Sequence, residues 1–377
     1  MKAQEKKIDS DRNSSQQSLL LNYEPVEKEV QLLLFSNFHA AADQTRTLPA
    51  YDIIPKFILS STRSQKTVEI RTFPNVKIGE KKVKVDLTPA IIETPDGAKT
   101  IFPGIREELI ERALRFMAVQ QNIDLYLEQE TNAKGNHRIT VVFTLYSLRK
   151  QMAKDGHDFK FSQIKEGLEV MRKCDLKVTG DINQDYVGIL SGPLLSISDQ
   201  LTTKELDADG KRTAFRAIFH PLATQSILNQ DYFLMRHSKL MKLRQPLARW
   251  IANRLNAKYR QASKKGWVHG ESGGYRLTLR QILEESGIVP EKRLRDNIER
   301  VRTSLNELKE NLFLDPWNAF IEKPTYELTK GRSKLTNMEW IIYPSTEFVE
   351  DIIEGNIERK KMGVRSAKGL NKQLKVI

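Results

Sequence analysis

Ten cationic side chains and no acidic one lie between Asp231 and Glu271: Arg236, Lys239, Lys242, Arg244, Arg249, Arg254, Lys258, Arg260, Lys264 and Lys265. Leu240, Leu243, Leu247, Ile251 and Leu255 run through the same stretch at the spacing of one helix face. The pattern predicts a helix that buries its apolar stripe and leaves unpaired cations on the other side. Such a surface suits DNA phosphates, because each phosphate it neutralises releases condensed counterions. The bland alternative is a solvated basic helix whose charges pair with other elements. Lys242, Arg244, Arg249, Arg254 and Lys258 are the candidate phosphate contacts from this stretch.

A second constellation lies further on. Leu294, Ile298, Val301, Leu305 and Leu308 form the buried stripe of a helix expected over Glu291 to Asn311. Lys292, Arg295, Glu299, Arg302, Thr303 and Asn306 fall on its opposite side, with Arg293 next to them. Arg can pair with guanine and Asn with adenine through two hydrogen bonds in the major groove. Asp296 and Glu299 either read cytosine amino groups or pair with neighbouring Arg. The corresponding helix of the first half, Phe161 to Cys174, offers a thinner set: Lys160, Gln163, Lys165, Arg172 and Lys173.

Catalytic patterns do not rise above background, and the chain is read as no enzyme. It has no Gly-x-x-x-x-Gly-Lys-Ser/Thr loop to cradle nucleotide phosphates. The six His residues form neither His-x-His nor His-Glu-x-x-His, so no metal and no cofactor are expected. The single cysteine, Cys174, excludes an internal disulfide and follows Leu168 and Met171 on an apolar face, which makes it a core thiol.

The elements that must position these residues follow from periodicity. The 377 residues suffice for two or three domains, and 39% hydrophobic with 29% charged content describes a globular chain. A formal charge of +13 favours polyanionic partners. Apolar runs are too short for a membrane span, the polar Met1 to Asn22 does not read as a secretory signal, and the expected compartment is the cytoplasm. Residues 1–30 read as a flexible lead. Short β-rich runs such as Thr67 to Ile70 and Val83 to Val85 suggest a small sheet before a helix over Arg106 to Ile123.

Strand Ile139 to Phe143, helix Leu145 to Met152, helix Phe161 to Cys174 and then β segments at Leu176 to Thr179, Tyr186 to Leu190 and Thr213 to Phe219 follow. The second half repeats the order. A long helix over Ser238 to Ala262, kinked or restarted at Pro246, precedes strand Tyr275 to Thr278, helix Leu279 to Ser286, helix Glu291 to Asn311 and strands at Tyr326 to Thr329 and Trp340 to Tyr343. Phe143-Thr144-Leu145 overlays Leu277-Thr278-Leu279, with each Thr able to cap the helix it opens. Ile164, Leu168, Met171 and Leu176 overlay Val301, Leu305, Leu308 and Leu312. The expected fold is α+β, with two tandem winged helix-turn-helix domains, 31–230 and 231–350, and a basic tail, 351–377. The tail is either an arm for DNA or a solubilising end.

With these residues in place, the chain resembles the replication initiators of iteron-containing, theta-replicating bacterial plasmids, most closely the TrfA-type members. The resemblance runs from about Val30 to Tyr343, through Gln31 to Phe35, Ile139 to Leu148, Tyr232 to Trp250 and the helix pair Leu279 to Ser286 and Glu291 to Leu312. It implies two winged-helix domains that bind direct repeats at an origin, open AT-rich DNA (with single-stranded contacts there) and bring in the host helicase machinery. It also implies a monomer–homodimer equilibrium in which the first domain is prominent. Gln31, Leu32, Leu34 and Phe35 match the Gln-Leu-x-Leu-Phe pattern with which bacterial proteins dock onto the sliding clamp; the run Leu32 to Phe35 equally fits a buried strand or helix. The rival reading is a winged-helix transcriptional repressor that binds DNA without melting it. An enzyme with an unfamiliar motif, a primase or a nickase, is the third.

Overall fold

The computed structural model describes residues 43–60, 64–65, 68–78, 81–94, 97–120, 140–183, 186–202, 213–228, 233–259, 274–329 and 332–357. The expected lead, the Gln31 to Phe35 motif, Arg260, Lys264, Lys265 and the tail beyond 357 lie outside these residues. Strand β1 (Gln44–Thr47) is followed by helix α1 (Pro49–Ile53), with Pro in the first turn, where its missing N–H leaves no bond unmade. The region read as a small sheet contains β2 (Ser64–Gln65), β3 (Arg71–Ile78), β4 (Lys81–Thr88), β5 (Ala90–Thr94) and β6 (Gly97–Ile101). Residues 68–70, expected within a strand, are exposed and outside one; β3 starts only where Arg71 finds Leu87 as its partner.

Helix α2 (Ile105–Gln120) leads into the first of two similar runs: β7 (Thr140–Thr144), α3 (Leu145–Lys154) and α4 (Phe161–Lys173). Four strands follow, β8 (Asp175–Asn183), β9 (Tyr186–Gly192), β10 (Leu195–Thr202) and β11 (Thr213–Phe219). The strand after α4 does not return to β7. Instead β8 pairs with β4, with Leu87 opposite Leu176 and Val85 opposite Val178, all four buried. That register places both apolar sets on one face, and a slip of one residue would expose them. The hairpin β8–β9 thus completes a four-stranded sheet of order β3-β4-β8-β9, and β11 closes on β7 in the order β10-β11-β7.

Helix α5 (Pro221–Leu228), β12 (Phe233–Arg236) and α6 (His237–Met241) then lead to α7 (Pro246–Lys258). The second run comprises β13 (Tyr275–Thr278), α8 (Leu279–Glu285), α9 (Leu294–Glu310), β14 (Phe320–Thr329) and β15 (Arg332–Ile342), with helix α10 over 346–357. Its sheet order is β13-β15-β14. In both halves the strand that enters the helix pair therefore lies beside the last strand, with the middle one outermost. The first half differs by the inserted β8–β9 hairpin.

Local chemistry explains where elements begin and stop. Thr144 and Thr278 each cap a helix: the hydroxyl accepts from the N–H of Ser147 at 3.0 Å and of Gln281 at 3.2 Å, and each partner side chain accepts from the Thr N–H at 3.0 Å. The helix expected over 238–262 is two helices. Pro246 cannot continue the first, and the Glu307 carboxylate accepts from the freed N–H groups of Arg244 and Gln245 at 2.6 and 2.9 Å. Helix α9 starts three residues later than expected because the buried Asn297 side chain ties Glu291 N, Glu291 O and Arg293 O into a loop. At its far end Leu312, expected to be buried, is 46% exposed with φ 58°. It occupies the left-handed position of a helix stop, with Leu312 N on Lys309 O and Phe313 N on Leu308 O, so Phe313 takes the core place.

Residues 44–60 pack against the second half. Strand β1 pairs with β12, and Trp250 Nε1 donates to Ile53 O at 2.9 Å. Leu59 N donates to Gly287 O at 3.0 Å, while Arg300 Nη2 donates to Leu59 O at 2.7 Å. Gly287 turns between α8 and α9 with φ 76°, and a Cβ there would meet Phe57 O at 2.3 Å. Glycine is required twice over at that position, by conformation and by space.

Candidate nucleic-acid interface

Residues Ile298, Val301, Leu305 and Leu308 of α9 are buried against a core that includes Leu247, Ile251, Leu277, Ile282 and Trp340. Leu294 at the start of the expected stripe is only partly buried. The outward stripe holds Arg295, Glu299, Arg302 and Asn306, which recur at intervals of four, three and four and so lie one above another. Thr303 is exposed beside them, its hydroxyl donating to Glu299 O at 2.9 Å.

Arg302 does not point freely into solvent. The Glu322 carboxylate on β14 takes its Nε and Nη2 at 2.7 Å each, and Nη1 stands 3.5 Å from Glu299. Glu322 also accepts from Trp340 Nε1 at 3.0 Å, and the Trp340 side chain is fully buried. Hydrogen bonding to Glu322 raises the Arg302 guanidinium above its usual value, and the same pairing lowers the Glu322 carboxyl. Arg302 is therefore a fixed, partly exposed cation with one edge occupied.

Lys292, Arg293 and Arg295 at the entry to α9 are exposed and have no ion-pair partner among the described residues. Arg276 on β13 and Lys323 and Lys334 on the β14–β15 hairpin are also exposed.

The Asp231 to Glu271 stretch divides differently from the expectation. Lys242, Arg244 and Lys258 are exposed. Arg249 is fully buried, with Nε and Nη2 on the two Glu108 oxygens at 3.1 and 2.8 Å. Arg254 donates to Tyr275 Oη at 2.8 Å and pairs with Glu285. Neither can reach a phosphate, and both leave the interface. The physical reason is that α7 is not amphipathic: every residue from Pro246 to Asn253 is buried, between α1 on one side and α9 on another. Arg249 and Arg254 are matched by acids 141 and 31 positions away. Arg236 and Lys239 likewise pair with Asp351 and Glu347 at 2.8 and 3.0 Å.

In the first half Lys160, Gln163 and Lys165 are exposed on the entry to α4, where Gln163 Oε1 accepts from Lys160 N at 2.9 Å. Arg172 and Lys173 are drawn onto Glu169 at 2.8 and 3.0 Å. Arg149 lies over the Phe161 ring at 4.9 Å, and Tyr146 is 55% exposed nearby in sequence. Cys174 is 2% exposed and burial pushes its thiol up to about 12, which fits a packed core residue.

The sequence reading missed the acids that organise this surface. Glu322 and Glu307 carry no local signal, because their partners are 20 and 62 residues away. Asn297 had one: an Asn inside an apolar helical run commonly turns back to bond backbone near a helix start.

No protein-family model matches the chain, and no curated protein matches its sequence. Among solved structures, the chain is similar to a selenomethionine crystal structure of domains 2 and 3 of RctB, at 12% identity and a TM-score of 0.41, over 78% of this chain and 97% of that one. It is also similar to a second crystal structure of RctB domains 2–3, at 12% identity and a TM-score of 0.39, over 81% and 98%. No helix among the described residues is long and apolar enough to cross a membrane.

Proposed function

We propose that this chain binds double-stranded DNA through two winged helix-turn-helix units, one on either side of about residue 230, and acts as a replication initiator. The observation that carries the reading is the recurrence: each half has a Thr-capped helix, a second helix with an exposed polar face, and a sheet ordered first strand, last strand, middle strand. In the second half that helix presents Arg295, Arg302, Thr303 and Asn306, preceded by the exposed Lys292 and Arg293. A helix of this width enters a major groove, where Arg and Asn can each make paired hydrogen bonds to base edges. Lys242, Arg244 and Lys258 are assigned to backbone phosphates, and Lys160, Gln163 and Lys165 to a second, lighter contact.

The finer assignments rest on the resemblance to plasmid initiators. They are direct repeats as the target, opening of an adjacent AT-rich segment, recruitment of host helicase and clamp, and control by a monomer–homodimer equilibrium. The chain is assigned binding without catalysis. The test combines footprinting on the direct repeats of the parent replicon with permanganate probing of the neighbouring duplex. Protection of the repeats with unpaired thymines alongside supports an initiator. Protection without unpairing identifies a repressor, and nicking or nucleotide incorporation in the same reactions reinstates the enzyme reading.

A further inference from the structure

Arginine offers five N–H donors along two usable edges, and the Arg302–Glu322 pair divides them. The Nε–Nη2 edge is closed by the two Glu322 oxygens, both at 2.7 Å. The second proton of Nη2 and those of Nη1 remain, apart from the 3.5 Å approach of Nη1 to Glu299. This second edge has the fork spacing that matches the O6 and N7 acceptors of guanine. Glu322 is itself held: it accepts from buried Trp340, opposite it in the β14–β15 register. The guanidinium plane is thus fixed by a carboxylate that is fixed by the core, and Arg302 stays 38% exposed on the stripe that also carries Arg295 and Asn306.

Resting on the duplex-binding reading above, we infer that Arg302 is the guanine-reading residue of this surface and that Glu322 is its positioning residue, which orients the free guanidinium edge toward the base. Three features favour this over a simple helix-to-hairpin strut. The pair is bidentate, it leaves the second edge clear except for the 3.5 Å approach of Glu299, and it lies at the solvent margin of a polar stripe instead of inside the core. A phosphate contact is the poorer match, because the Glu322 charge beside Arg302 opposes approach of a second anion, whereas a neutral base edge carries no such penalty.

The experiment starts from a duplex enriched from a random pool by the full chain. Each G·C pair is then exchanged for A·T, one at a time, and binding is measured at two salt concentrations. Wild type is compared with Arg302→Lys, Arg302→Ala and Glu322→Gln; the last keeps an acceptor for Trp340, and a thermal melt of each variant registers folding. Arg302→Ala and Arg302→Lys are expected to lose about 5- to 150-fold in affinity on the enriched duplex and to become indifferent at one guanine. Glu322→Gln is expected to lose part of the discrimination at that same guanine with an unchanged salt dependence. A uniform rise in affinity of Glu322→Gln on all duplexes, with steeper salt dependence, would overturn the inference, since it would make Arg302 a masked phosphate contact. Folded Arg302 variants that keep every preference would overturn it too, while leaving duplex recognition intact. Failure of wild type to enrich any sequence would remove duplex recognition itself, and this inference with it.

Discussion

Replacing Arg249 with Ala separates a core role from a DNA role in a single variant. The side chain is fully buried and joins α7 to α2 through both oxygens of Glu108, which also accepts from Arg112 Nε at 3.0 Å. Removing one partner of such a pair leaves a buried carboxylate half-compensated, at a cost of about 3–5 kcal/mol. That is a large share of the roughly 5–15 kcal/mol a protein of ordinary stability has. The same pairing acts on the Glu108 proton. Burial pushes the Glu108 carboxyl up, but Arg249 and Arg112 outweigh it and hold it at about 2, against the usual 4.5.

A carboxyl lowered on folding contributes stability that is complete above pH 4.5 and is lost as pH falls toward 2, here about 3 kcal/mol in all. Urea unfolding at pH 7 should therefore show Arg249→Ala about 3–5 kcal/mol less stable, with a weaker loss than wild type on going to pH 3. Replacing the whole buried triad, as Glu108→Leu with Arg249→Met and Arg112→Met, should recover much of the difference, because no charge is then left stranded. The salt dependence of DNA binding by the folded Arg249→Ala protein should be unchanged. Unaltered stability together with a slope smaller by about 0.9 would refute the reasoning and return Arg249 to the phosphates.

Thr278→Ala and Thr144→Ala should each cost about 1 kcal/mol in urea unfolding, as both caps satisfy otherwise unbonded helix N–H groups. Gly287→Ala should cost more than about 1 kcal/mol, from its φ of 76° and the 2.3 Å approach of Phe57 O; a neutral result would dispute the α8–α9 turn. Leu312→Gly should be neutral or stabilising by up to about 1 kcal/mol in the same assay, because the left-handed backbone penalises a Cβ more than glycine entropy costs. Buried His220 accepts from Leu222 N at Nδ1 and bonds Leu176 O through Nε2, and burial lowers it to about 4. The neutral ring is favoured on folding, so stability is complete above pH 6.5 and about 3 kcal/mol is lost as pH falls to 4; urea midpoints between pH 7 and 4 check it.

Much of the second half was legible because its signals are local. Thr278 followed by Gln281, the Gly287 turn and the apolar stripe from Ile298 to Leu308 each act within a few residues. What escaped the sequence acts at long range. Arg249 and Arg254 sit in a cationic run that looks solvated, and only the return of Glu108 and Glu285 to α7 makes them interior. The pairing of the strand after α4 was not legible either: strand pairing depends on a partner's register, and its partner β4 lies about ninety residues earlier in the chain. The candidate site was thus readable as a helix face with exposed cations, while its geometry, above all the Glu322 hold on Arg302, was not.

The most direct test of duplex recognition by α9 is the salt dependence of binding for wild type and for Lys292→Ser/Arg293→Ser/Arg295→Ser. These side chains are exposed and lack ion-pair partners among the described residues, so the variant should fold normally. With Lys292 and Arg293 on phosphates and Arg295 on a base edge, the slope of log affinity against log salt should shrink by about 2 units, at roughly 0.9 per phosphate contact. A slope equal to that of wild type would place the DNA elsewhere and contradict the account.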